Sequence, residues 1–153
     1  MKRTFVRALL ALLLSTTLPA FAEHCSQAST AGTWAYTYTG TIFTPNGALP
    51  LASVGRYSQD LGGNVTGSQN RSVAGSSGVE EIAGTVAVNS DCTATAKIDV
   101  LVNSELQRTA VLAVVYDSNG NHARMIFQSL TLPDGTNLPV VITLDANRIV
   151  SRN

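Results

Sequence analysis

Two histidines, two cysteines and one adjacent pair of carboxylates are the obvious material for chemistry in this chain. His24 and His122 stand far from any Ser or Cys motif of nucleophilic catalysis. No His-Glu-x-x-His zinc motif and no Gly-rich phosphate loop occurs. Glu80 and Glu81 are neighbours, so on a strand they point to opposite faces and cannot share a proton. His24 next to Cys25 supplies two adjacent ligands, too few for a zinc site. The expectation is a chain without catalytic residues, metal or cofactor.

Binding residues are easier to find. In "AGTWAYTYTGTIF" Trp34, Tyr36 and Tyr38 alternate with small residues and share one strand face, which Ile42 continues. Arg56 shares parity with Val54, Arg71 with Val73, and Glu80 with Ile82, Val86 and Val88. Two readings stay open for these charges. They lie at strand ends beyond the core, the commoner arrangement. Otherwise they line the interior, where a charge needs a partner or a ligand. On the second reading Arg56 or Arg71 holds an anionic headgroup. The three aromatics are open in the same way, as packed core or as cavity wall. Trp34, Tyr36, Tyr38, Arg56, Arg71 and Glu80 are therefore the candidate ligand-binding residues.

The elements that must position them are strands. Turn signals recur about every 15 residues. Examples are Asn46-Gly47, Gly62-Gly63, Asn103-Ser104-Glu105, Asn119-Gly120 and Asp134-Gly135. They divide the chain into eight segments rich in Val, Ile, Thr and Tyr: 32–43, 51–59, 64–75, 79–89, 92–102, 108–117, 122–132 and 139–150. A short helix has room only at 103–108. Strands of about ten residues joined by short hairpins suit a meander, and eight of them close into a barrel. The expected fold is an all-β, eight-stranded antiparallel up-and-down barrel. A two-sheet β-sandwich is the alternative. Gly40, Gly55, Gly67 and Gly84 suit tight coiling of such strands.

The N-terminus reads as an export signal. Lys2, Arg3 and Arg7 precede the apolar run "ALLALLL", Pro19 follows it, and "AFA" ends at Ala22. The organisation expected is a signal peptide over 1–22 and one domain over 23–153, placed in the periplasm or secreted. The chain carries ten basic and ten acidic residues, and cleavage removes three of the basic ones. No basic patch remains for nucleic acid, and no second apolar run remains to span a membrane as a helix. Cys25 and Cys92 are an even count in an exported chain, which favours a disulfide over metal binding. "AVLAVVY" at 110–116 is apolar on both faces, so its outer face needs cover, and a homo-oligomer is expected.

Gly32-Thr33-Trp34 at the head of this meander resembles the Gly-x-Trp start of calycins, the group of lipocalins, fatty-acid-binding proteins and avidins. The resemblance implies a barrel with an internal ligand cavity. It also implies that Arg148, on the last strand, packs against Trp34. A single Trp departs from the several that line the avidin site, so biotin is not implied. With "NSDCT" at 89–93 the chain also resembles uncharacterised bacterial exported proteins with an allene-oxide-cyclase-like barrel.

Three functions follow in order. The first is a carrier of a small apolar or amphipathic ligand in the barrel interior, marked by a cavity of ~300 Å³ or more. The second is a structural or adhesive envelope module with a filled core. The third is a cyclase or isomerase of the allene-oxide-cyclase type. The export reading has a direct check. Protein recovered from a bacterial periplasm is expected to begin at Glu23 on N-terminal sequencing; a chain retaining Met1 would exclude cleavage after Ala22.

Overall fold

The computed structural model describes residues 25–117 and 119–149. The expected signal peptide and its cleavage site lie outside these residues.

Period-two alternation becomes eight strands: β1 (Gly32–Thr44), β2 (Gly47–Gln59), β3 (Asn64–Val73), β4 (Ser76–Val88), β5 (Thr93–Val102), β6 (Glu105–Tyr116), β7 (His122–Thr131) and β8 (Val140–Arg148). Each pairs antiparallel with the next, and β8 pairs with β1, so the sheet is a closed up-and-down barrel. The sandwich alternative is excluded by the β1–β8 ladder, which runs from Trp34↔Arg148 to Ile42↔Val140. Closure leaves one side of every strand nowhere to point but inward. Trp34, Tyr36 and Tyr38 are buried while Ala35, Thr37 and Thr39 are exposed.

Local chemistry explains where the elements differ from expectation. Asn103 (φ 52°) and Ser104 (φ 67°) both adopt left-handed backbone, the signature of a two-residue hairpin turn with inverted geometry. That turn starts β6 at Glu105, so the segment 103–108 holds no helix. β2 begins at Gly47 rather than at residue 51, because Thr44 and Gly47 close a tight turn in which the Thr44 hydroxyl donates to Gly47 O (2.9 Å). Small residues let the strands coil: a Cβ at Gly40, Gly67 or Gly84 would collide with a backbone carbonyl of the neighbouring strand.

One end of the barrel is plugged by the short helix α1 (Gln27–Thr30), which the sequence periodicity does not reveal. Ser26 caps it, its hydroxyl accepting from Ser29 N (3.1 Å). Gln27 ties it to β4, donating to Val86 O and accepting from Val88 N (3.0 Å). Trp34, fully buried, donates from its indole to Thr30 O (3.1 Å). Arg148 lies over the Trp34 ring, 5.8 Å from its centroid, and donates to Ser29 O (2.9 Å) and Ala31 O. Cys25 and Cys92 form a disulfide with Cα atoms 4.9 Å apart, which anchors the segment ahead of the helix to the β4–β5 turn.

The disulfide spans 67 residues. Chain entropy over a loop of that size amounts to about 4 kcal/mol at most. The Cys25→Ser, Cys92→Ser double variant is expected to lose about 2–4 kcal/mol in urea melts and roughly 10 °C of Tm. An unchanged melt would show that the plug is held by its hydrogen bonds alone.

Candidate functional site

Register assembles the site. Across β1 to β4 the paired positions Tyr36↔Gly55, Gly55↔Gln69 and Gln69↔Glu80 form one row inside the barrel. Tyr38↔Ser53 and Ser53↔Arg71 form the next row toward the mouth. On the far side Val100 pairs with Arg108 beside a bulge in the β5–β6 ladder. Arg108 shares parity with Ala110, Leu112, Val114 and Tyr116, all buried, so its side chain is directed inward.

These rows meet at Glu80, which is 5 % exposed. Arg71 donates from Nε to Glu80 Oε1 (2.9 Å). Arg108 donates from Nη1 to Oε1 (3.0 Å) and from Nη2 to Oε2. Gln69 donates to Oε2 (2.7 Å) and to the Tyr38 hydroxyl (3.1 Å), and accepts from the Tyr36 hydroxyl (2.8 Å). Burial alone would push the Glu80 carboxyl up. The hydrogen bonds from Arg108, Arg71 and Gln69 outweigh that effect and hold it down at about 2. Burial raises the Tyr36 and Tyr38 hydroxyls, so both remain neutral phenols.

Below this network lies an internal cavity of about 60 Å³. Its wall is almost wholly apolar, with Val65, Ile82, Ala96, Leu112 and Phe127 among its side chains. Tyr36, Tyr38, Tyr57 and Tyr116 enclose it, and Gln69 and Arg108 are its polar groups toward the mouth. The aromatic rings form a connected wall: Tyr36 lies 6.4 Å from Tyr38 and 5.8 Å from Tyr57, and Tyr38 lies 5.8 Å from Phe127. Tyr36 finds its place because Gly55 opposite has no side chain; a Cβ there would stand 2.6 Å from the ring. The volume is several times what one water needs and falls short of the ~300 Å³ expected of a carrier.

The sequence candidates therefore divide. Tyr36, Tyr38, Arg71 and Glu80 converge in one network. Trp34 is in the same interior but closes the plugged end. Arg56 is a correction: it is exposed on the outer face, paired with exposed Ser68, because its parity partner Val54 also faces solvent. Gln69 and Arg108 were missed. Their parity with Val65 and with Leu112 was the available signal. His122 is at the barrel's outer side, where Nε2 meets Asp145 Oδ2 at 2.8 Å. Among the described residues no cluster of metal-ligating side chains occurs.

No family model and no curated protein matches the chain. Among solved structures it is similar to EF1p2_mFAP2b bound to DFHBI, with a TM-score of 0.52 and 14 % identity over 84 % of this chain and 99 % of that one. It also overlaps a protein given the name AttH from Nitrosomonas europaea, with a TM-score of 0.39 and 11 % identity over 89 % of this chain, which spans 59 % of the other. The first likeness shows the barrel fold; the second carries no argument.

Glu80 has a testable signature. Its folded pKa lies below the ordinary value of 4.5, so the stabilisation is complete above pH 4.5 and is lost as pH falls toward 2. Glu80→Gln is expected to cost about 2–3 kcal/mol at pH 7. The gap to the parent in urea melts should close between pH 4.5 and about 2. A gap that stays constant across that window would mean that the carboxylate is not held by the two arginines.

Proposed function

We propose that this protein is an exported binder of one small apolar or amphipathic molecule, held inside the barrel. The observation that carries the reading is the apolar cavity inside the barrel, with Gln69 and Arg108 on its mouth side. Such a layout suits a ligand with an apolar body for the tyrosines and a polar end for Gln69 and Arg108. The plug of α1 at the other end gives the interior one approach, from the mouth. The similar barrel EF1p2_mFAP2b is bound to DFHBI, which supports a barrel of this shape holding a ligand. The leader sequence and the disulfide support export. Catalysis has no part in this reading.

The cavity's small volume sets the size of the ligand. It suits a compact molecule, and a longer one requires Met125, Phe127 or Arg108 to turn aside. The same smallness favours a second reading, a non-catalytic envelope module whose interior is chiefly packing. The proposal includes a second copy of the chain as partner. Its support is the outer face of β6 and β7, where Val115 is 56 % and Ile126 48 % exposed.

Native mass spectrometry of protein exported to a bacterial periplasm, compared with the denatured spectrum, tests these readings together. A mass lost on denaturation is expected and would give the ligand's size. A clean apo mass would favour the envelope module. The same spectra are expected to show more than one subunit; a monomer at every concentration would remove the homo-oligomer.

A further inference from the structure

We infer that the ligand is a monoanion, and that its charge is taken by Arg108 in competition with the protein's own Glu80. This inference rests on the binding reading above and adds the charge class to it. The argument is a count of charges in a buried place. Arg71 and Arg108 both bond Glu80, and their side chains are 25 % and 12 % exposed. Among the described residues no other carboxylate pairs with either guanidinium. Two cations therefore share one anion, which leaves one positive charge in excess at the inner end of the mouth. A charge withdrawn from water is costly unless it is paired.

The donors are also in excess. Each guanidinium carries five N–H groups, and a carboxylate has about four lone-pair sites. Glu80 already accepts from Arg71, Arg108 and Gln69. Arg108 differs from Arg71 in one respect: it lines the cavity as well as bonding Glu80. It is thus the cation that an anionic group on a bound molecule meets. Arg71 keeps Glu80 when Arg108 turns toward the ligand, so the exchange leaves two matched pairs, Arg71 with Glu80 and Arg108 with the ligand. The apolar wall and the Tyr36 and Tyr38 rings take the uncharged remainder. The class is an amphipathic aromatic or short aliphatic carboxylate or sulfonate.

Two small probes that differ by one charge, each followed by titration calorimetry, separate this inference from the reading beneath it. They are benzoate, an anion, and benzamide, its neutral counterpart. The parent protein is expected to bind the anion about tenfold more tightly. Arg108→Gln, which leaves the Arg71–Glu80 pair intact, should erase that preference while the neutral probe still binds. Glu80→Gln removes the internal competitor and should strengthen anion binding by about tenfold without changing the neutral probe. Arg56→Gln, on the outer face, should change neither. Thermal melts of each variant report whether it is folded. Equal affinity for the two probes, or an anion preference that survives Arg108→Gln in a folded variant, would overturn the monoanion inference and leave the binder standing. Failure of both probes to bind would overturn both.

Discussion

Pairing of β8 with β1 is the constraint on which everything else depends. An open eight-stranded sheet would have two edges and two faces, with nothing to fix which face is covered. Closure removes both edges and forces every strand to surrender alternate side chains to one shared interior. That interior is narrow. Trp34, Tyr36, Tyr38, Tyr57 and Tyr116 fill much of it from three strands, and the small inward residues Ala94, Ala96, Ala110, Ala123 and Ala146 leave room for them. The aromatics of β1 are consequently both core and cavity wall. The question of which role they serve has no single answer, because in a barrel of this girth the core surrounds the cavity.

The two ends of the barrel are built from different physics. The plugged end is held by covalent and directional bonds: a disulfide, the capping of α1, the indole of Trp34 and the guanidinium of Arg148 on backbone carbonyls. These satisfy the backbone groups of a short helix that would not form alone. The mouth is held by charge. Glu80 gathers side chains from β3 and β6 around its own strand, so one carboxylate staples three strands. Burying it is tolerable only because its hydrogen bonds from Arg71, Arg108 and Gln69 replace the lost water. An end held by directional bonds and an end latched by charge give the interior a direction.

Much of this architecture is legible along the chain. Turn residues at a regular beat and alternation of period two were enough for eight strands and their order, because hairpins join neighbours and the pleat has one period. The pairing of Cys25 with Cys92 followed from their even count and the expectation of export. Legibility failed where a local pattern had two solutions. Asn103-Ser104 suits either a helix start or a turn, and strand pairing decided for the turn. The helix Gln27–Thr30 is too short to show a period. Arg56 and Arg71 have the same kind of apolar parity neighbour, yet one neighbour, Val54, faces solvent.

By itself, the sequence determined the strand count, the alternation of faces and the poverty of acid–base groups, since these are properties of residue type and spacing. Only the tertiary structure decided which face was inside, and hence that Arg56 is outside and Glu80 within. It also decided that Gln69 and Arg108, 39 residues apart in numbering, reach the same carboxylate. Register between strands carries that information. Register is settled by closure of the whole barrel, through contacts that no local stretch of the chain contains.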